Sequence, residues 1–238
     1  MQRTDNRAMP ADTTRQLPPF DALIFDADGT LVDTESTTVD VLYDLSLAQG
    51  LQMPREEAYR VFRGQRMADC IAQVQSRITR TLPEDFIGQI RQEMARRFDL
   101  GVQTMPGALD LARALSAQTR IPYCVATNGP RMKVSQTLSL SGLMDFFEGR
   151  VFSAYEVGSF KPEPDLFLHA ARAMNAQPCV CAVVEDSEPG VRAGLTAGMQ
   201  VMYVGATDLL APFLLNQVTH VPHLALIQQA LQRQSASC

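Results

Sequence analysis

The sequence contains no run of about 18 consecutive apolar residues, the length a helix needs to cross a bilayer, so no membrane span is expected. It also lacks a surplus of positive charge. The 21 lysines and arginines are outnumbered by 26 aspartates and glutamates, for a formal charge of −5. Sequence-independent nucleic-acid binding rests on many cationic contacts to phosphates, so nucleic acid is not an expected partner. A small anion remains compatible with this balance, because one lysine and a few N–H groups suffice to hold it. Cysteine is sparse and odd in number: Cys70, Cys124, Cys179, Cys181 and Cys238 form neither a CxxC pair for zinc nor a disulfide framework. Cys179 and Cys181 lie in an apolar run and are expected to be buried thiols. A reducing, cytoplasmic setting fits this usage. Histidine is rarer, with only His169, His220 and His223. There is no internal repeat and no low-complexity segment. Met1 to Pro19 is polar and has no apolar signal-peptide core, so residues 1–20 read as a loose tail.

What is present is enough to bury a large core: 46% of the 238 residues are apolar and 20% charged. That length suits one large domain, or a core domain with a smaller companion. From Asp21 the pattern changes. Ala22-Leu23-Ile24-Phe25 is a short continuous apolar run that ends in Asp26, Asp28, Gly29 and Thr30. Such a run reads as a buried strand entering a loop. Similar runs at Ile121–Ala126, Cys179–Val184 and Gln200–Val204 end at Thr127-Asn128-Gly129, Glu185-Asp186-Ser187 and Gly205. Helix-like stretches fall near 107–118, 131–142, 164–175 and 188–197. Strand alternating with helix predicts an α/β fold, a parallel sheet with helices on both faces. Residues 35–104 contain no strand-like run. Val39, Leu42 and Leu45, then Ile71, Val74 and Ile78, then Phe86, Ile87 and Ile90 recur near helical spacing. This span is expected to be an all-helical cap inserted into a core made of residues 21–34 and 105–238.

In an open parallel sheet, ligands sit beyond the carboxyl ends of the strands. Asp26, Asp28, Thr127, Asn128, Glu185 and Asp186 should converge there. Four carboxylates in one cleft repel one another unless a cation is present, and a compact set of oxygen ligands suits Mg²⁺. Such a metal also keeps carboxylates ionised. An ionised Asp26 can attack phosphorus, and Asp28, two residues along, can carry a proton to the leaving alcohol and take one from water. Lys161 is a candidate clamp for the transferring group, with Thr127, Asn128 and the N–H groups after Gly129-Pro130 as further donors. Taken singly, Asp33 reads as a helix cap, Lys161 as a surface residue and Thr127 to Pro130 as a turn. The ordered set at successive strand ends carries the inference.

These residues resemble the haloacid dehalogenase superfamily, in its phosphatase and β-phosphoglucomutase-like branch. Phe25 to Asp33 looks like the first motif, DxDGT. Thr127-Asn128, Lys161-Pro162 and Glu185-Asp186-Ser187 look like the following three, so the resemblance spans nearly all of the chain from Asp21. It implies a Rossmann-like three-layer core with a helical cap inserted after the first motif. It implies Asp26 as nucleophile and Asp28 as general acid/base. The metal set it implies is the Asp26 carboxylate, the Asp28 carbonyl and Asp186, with Glu185 a ligand or a partner behind the ligands. Thr127, Asn128 and Lys161 would bind the phosphoryl group. Similar mutases carry a cap histidine where this chain has Thr38, which favours transfer to water. Phe62 to Arg66 resembles the substrate-facing cap loop, making Arg63, Gln65 and Arg66 candidates for contacting the leaving group.

The expected partner is therefore a small phosphorylated metabolite, a sugar phosphate or sugar-acid phosphate of the 6-phosphogluconate type, and the expected oligomeric state is a monomer. A β-phosphoglucomutase-type mutase and a non-catalytic phospho-ligand binder are the alternatives. A phospho-receiver domain also uses strand-end acids, but it is about half this length and carries its phosphorylated Asp on a later strand.

Overall fold

Ala22–Phe25 form β1, four residues with no measurable exposure, and the rest of the molecule is organised around this strand. The computed structural model describes residues 17–63, 65, 67–118 and 120–236, with the side chains of 234–236 left aside. After β1 come β2 (Val32–Asp33), then helices α1 (Glu35–Ala48), α2 (Arg55–Phe62), α3 (Met67–Gln75) and α4 (Phe86–Phe98), then β3 (Gln103–Thr104). The remainder alternates: α5 (Ala108–Ser116), β4 (Tyr123–Thr127), α6 (Arg131–Leu140), α7 (Met144–Phe147), β5 (Val151–Ser153), α8 (Ala154–Val157), α9 (Asp165–Ala173). It closes with β6 (Cys181–Glu185), α10 (Glu188–Thr196), β7 (Gln200–Tyr203), α11 (Pro212–Leu215), β8 (Thr219–His220) and α12 (Ala225–Ala236).

Among the described residues the main sheet has the order β5-β4-β1-β6-β7-β8, and every pair in it is parallel. Side chains alternate across each strand. Leu23 and Phe25 of β1, with Ala182 and Val184 of β6, face a core shared with α5, α6 and α12. Ala22, Ile24, Cys181 and Val183 face the other core, against α9 and α10. Burial on both faces explains why these strands read as continuous apolar runs. The fold is thus the expected α/β three-layer arrangement. Two edge strands, β5 and β8, carry too few apolar residues to have been predicted.

The four helices α1–α4 lie between β2 and β3, which pair antiparallel, Val32 opposite Thr104 and Asp33 opposite Gln103. The two chain crossings thus run side by side as a short ribbon. The expectation of no strand within 35–104 is corrected at Gln103–Thr104, a two-residue strand below the length that periodicity detects. Two further corrections concern the chain's beginning and its thiols. Phe20, placed in the loose tail, is 2% exposed and belongs to the core; residues 1–16 lie outside the described residues. Cys181 is buried as expected, but Cys179 is exposed, because Pro178–Val180 form a turn of 3₁₀ helix before the strand starts. Among the described residues no helix is long and apolar enough to cross a membrane.

The helical insertion carries its own polar tie. Asp44 on α1 accepts hydrogen bonds from Arg97 of α4 at 2.6 Å and Arg55 of α2 at 2.7 Å. Burial alone would raise the Asp44 carboxyl, but the two guanidinium groups hold it below the usual range. Asp44 is about a third exposed, so solvent screens much of the gain, and Asp44→Asn should cost about 0.5–1 kcal/mol. A carboxyl depressed in the folded state adds stability that is present above its unfolded pKa, near about 4, and is lost as pH falls below it. Urea unfolding should therefore separate parent and variant at pH 7 and bring them together near pH 3. A gap that stayed constant between those values would refute the ion-pair account.

Candidate active site

The loop after β1 is set by backbone bonding. Asp26 N–H donates to Val184 O, which extends the ladder by one residue, and Leu31 and Val32 N–H both donate to Ala27 O. Gly29 makes the turn possible. Its φ is +80°, and a Cβ there would lie 2.0 Å from Asp186 Oδ2. The strand ends deliver the rest: Thr127 is the last residue of β4 and Glu185 the last of β6. Residues that are far apart in sequence meet because β1 lies between β4 and β6.

The centre of the site is a buried triad of charges. Lys161 Nζ donates to Asp26 Oδ1 at 2.5 Å and to Glu185 Oε1 at 2.6 Å, with the Phe167 ring 4.8 Å below it. Burial would lower Lys161, but the two carboxylates hold it charged, above its usual range. One ammonium cannot balance all the acids. Burial pushes the Asp26 carboxyl up to about 7, against the pull of Lys161 and with repulsion from Glu185 and Asp28. Asp186 is also pushed well above its ordinary value, by burial and then by Glu185, Asp26 and Glu35. Its Oδ1 accepts a long hydrogen bond from Thr30 Oγ1, 3.3 Å.

Glu185, for which the sequence left open a ligand or a partner behind the ligands, has both oxygens hydrogen-bonded within the chain. Its Oε1 is taken by Lys161, and Oε2 accepts from Ser187 N–H and Oγ–H, each at 2.9 Å. Gly190, in the first turn of α10, makes room for it; a Cβ there would fall 1.8 Å from Oε1. Glu185 therefore braces Lys161 and the start of α10. Asn128 is also used internally. Its Oδ1 accepts from Lys161 N–H at 2.9 Å and its Nδ2 donates to Lys161 O at 3.2 Å, so the amide shapes the lysine loop. Thr127 Oγ1 accepts from Gly129 N–H at 3.0 Å.

Asp28 carries two partners absent from the sequence expectation. Its Oδ2 accepts from Lys133 Nζ at 2.8 Å and its Oδ1 from Thr34 Oγ1 at 2.5 Å. Burial alone would raise this carboxyl; the Lys133 charge and hydrogen bonds from Lys133 and Thr34 hold it below the usual range. A cavity of about 270 Å³ opens over these groups, lined by Asp26, Asp28, Thr127, Lys133, Lys161 and Asp186. A larger cleft of about 620 Å³ continues toward α2 and α10, and Glu35, Gln65 and Asp186 line both. Arg63 lines the larger cleft with its guanidinium paired to Glu35 at 2.6 Å. Arg66, the third cap candidate, lies outside the described residues. Arg192 of α10, which also lines this cleft, was not singled out from the sequence.

Among the described residues no three His, Cys, Asp or Glu side chains gather as a ready-made metal cage. Mg²⁺ does not require one, since it accepts one or two carboxylates and keeps several waters. Asp26 and Asp186 fit that demand. Both are acids whose charge the surrounding cations do not balance.

Comparison with known proteins is consistent with this geometry. The model of the haloacid dehalogenase-like hydrolase family matches residues 20–198. A 6-phosphogluconate phosphatase of Escherichia coli is 32% identical over 211 residues, covering 88% of this chain and 94% of that one. The fructose-1-phosphate phosphatase YqaB of the same organism is 31% identical over 189 residues, covering 78% and 96%. A family hydrolase from Deinococcus radiodurans, solved with bound phosphate and sodium, superposes with a TM-score of 0.72 at 28% identity, covering 90% of this chain and 97% of that one.

Proposed function

The chain belongs to the haloacid dehalogenase-like hydrolases and cleaves phosphoric monoesters; from that premise we propose that it is a Mg²⁺-dependent phosphatase acting on a small sugar phosphate or sugar-acid phosphate through a phosphoaspartate on Asp26. The observation that carries this reading is the Lys161 bridge. It fixes the Asp26 carboxylate by Oδ1 at 2.5 Å, within the 270 Å³ cavity that Asp26 lines.

The chemistry follows from the chain's own groups. An Asp26 carboxylate oxygen attacks phosphorus and the bond to the substrate alcohol breaks. Asp28 must carry a proton when substrate is bound, although Lys133 and Thr34 favour its ionised form in the free protein, and it gives that proton to the alcohol as it leaves. Asp28 then takes a proton from water, which attacks the phosphoaspartate, releasing phosphate and restoring Asp26. Lys161 neutralises charge on the transferring group, helped by Thr127 Oγ and N–H groups at the start of α6. Mg²⁺ held by the Asp26 and Asp186 carboxylates and the Asp28 carbonyl would supply electrostatic stabilisation of the phosphoryl oxygens. Glu185, fully occupied by Lys161 and Ser187, serves that set from behind.

The leaving group would extend into the 620 Å³ cleft beside Gln65 and the Glu35–Arg63 pair. Its mixed polar lining suits the hydroxyl-rich body of a sugar or sugar acid. The 6-phosphogluconate and fructose-1-phosphate activities of the relatives name candidates within that class. Thr38 lines the smaller cavity where similar mutases place histidine, and its hydroxyl is bonded to Thr34 O at 2.8 Å, which supports transfer to water.

A panel of phosphorylated metabolites tests the proposal. With Mg²⁺, one or more sugar or sugar-acid phosphates should be hydrolysed with kcat/KM on the order of 10⁴ M⁻¹s⁻¹ or above. Nucleoside monophosphates should be at least about tenfold slower, and EDTA should abolish the activity. Unchanged rates in EDTA would remove the metal from the scheme. Isomerisation of a hexose phosphate without release of phosphate would identify a mutase.

A further inference from the structure

Two side chains break local rules in order to reach Asp28. Thr34 is the N-cap of α1, a position where a threonine hydroxyl ordinarily accepts a hydrogen bond from the first turn. Here it makes no cap bond and donates to Asp28 Oδ1 instead. Lys133 is the third residue of α6, within the first turn, where the helix dipole disfavours a cation. Its ammonium nevertheless turns to Asp28 Oδ2, at 2.8 Å, with the lysine and aspartate side chains 27% and 32% exposed. Sequences tend to violate local preference where function demands it, and both violations point at one carboxylate. One arm comes from the core helix α6, the other from the crossing into the helical insertion.

We propose that Lys133 is a positioning residue for Asp28, holding its carboxylate by Oδ2 against Thr34 at Oδ1 so that the acid/base group faces the leaving oxygen in one orientation. This rests on the role given to Asp28 above. Asp28 has two carboxylate oxygens and a rotatable side chain; with both oxygens held, the carboxylate cannot swing freely. Proton transfer depends steeply on such geometry, and a displacement of about 1 Å can lower a rate about 10²-fold.

The competing role for Lys133 is direct binding of the phosphoryl group, since it also lines the 270 Å³ cavity. The two roles separate by leaving group. A sugar or other alkyl phosphate needs a proton on its departing oxygen, whereas 4-nitrophenolate departs without one. The measured quantity is kcat/KM, which reports steps up to loss of the alcohol. Lys133→Met keeps the aliphatic stem and removes the charge. It should lower kcat/KM for the alkyl phosphate about 10- to 100-fold and for 4-nitrophenyl phosphate less than about threefold. Inhibition by inorganic phosphate should stay within about threefold of the parent, and Lys133→Arg should recover part of the loss. Thr34→Val, which removes only the other arm, should show the same selectivity for the alkyl substrate.

Equal losses on both substrates together with weakened phosphate inhibition would overturn the proposal and make Lys133 a phosphoryl ligand. Unchanged kinetics in both Lys133→Met and Thr34→Val would overturn it as well. Should Lys133→Met fail to fold, Lys133→Arg and Thr34→Val decide alone. Asp28→Asn run in parallel guards the premise. If it shows no leaving-group selectivity, the acid/base reading itself fails. If it does and the Lys133 and Thr34 variants do not, only the positioning role falls.

Discussion

Asp26→Asn should abolish turnover while leaving the protein folded. Removing the nucleophile from other enzymes that work through covalent intermediates costs on the order of 10⁴–10⁶-fold in kcat, and a loss of that size is expected on any phosphate monoester the parent hydrolyses. The carboxamide occupies the same volume but has no anionic oxygen to attack phosphorus. Stability should move little or rise. In the parent, burial and the neighbouring Glu185 and Asp28 push the Asp26 carboxyl up to about 7, so an ionised Asp26 is an unfavourable presence in the folded chain. The amide removes that charge, and Lys161 keeps its partner Glu185 at 2.6 Å. Active sites commonly carry such a stability–activity conflict. Two measurements decide: phosphate release and a thermal melt. Retention of more than about a hundredth of parental kcat would exclude Asp26 as nucleophile. A collapse in melting temperature would show that the carboxylate serves chiefly as structure.

Lys161→Met should have the opposite profile, with loss of both fold stability and activity. The Lys161 side chain is 2% exposed, and its ammonium bridges two acids that the rest of the structure buries. Methionine matches its length and sits comfortably over the Phe167 ring, so packing is largely kept and charge is the variable. Removing one partner of a buried ion pair typically costs about 3–5 kcal/mol, because the remaining charge is left uncompensated. The deficit should depend on pH. In the metal-free protein the folded Asp26 carboxyl is raised to about 7, with Lys161 opposing the rise, and the substitution lifts it further. A raised carboxyl holds a proton that the unfolded chain has already released. Stability therefore falls as pH climbs from the unfolded value, near about 4, toward the folded one. For the parent that window closes near 7; for the variant it extends higher. Urea unfolding in EDTA should show a gap that widens between pH 6 and 8.5. A gap of the same size at both would mean that Lys161 acts through packing rather than charge.

Much of this architecture was legible because it is encoded locally. Ala22–Phe25, Tyr123–Thr127 and Cys181–Glu185 are buried on both faces, so each announces itself as an apolar run with a polar end. The helices α1, α3 and α4 show their apolar spacing directly. The edge strands β5 and β8 did not, since a strand of two or three residues has too few positions for a pattern. Cys179 was misplaced for a related reason: hydropathy cannot distinguish the last turn before a strand from the strand itself.

By itself the sequence determined which residue types stand at which strand ends, because burial of a parallel sheet forces apolar runs, and loops beyond them must be polar. That placed Asp26, Asp28, Thr127 and Asp186 in one cleft. Only the tertiary structure decided how the polar side chains there divide among themselves. Glu185 and Asn128 hydrogen-bond to Lys161 and its loop, and Lys133 and Thr34 to Asp28. Such pairings join residues as much as 105 positions apart. They depend on strand order, register and helix orientation to within an ångström, since a hydrogen bond weakens steeply with distance and angle. No local pattern carries that information.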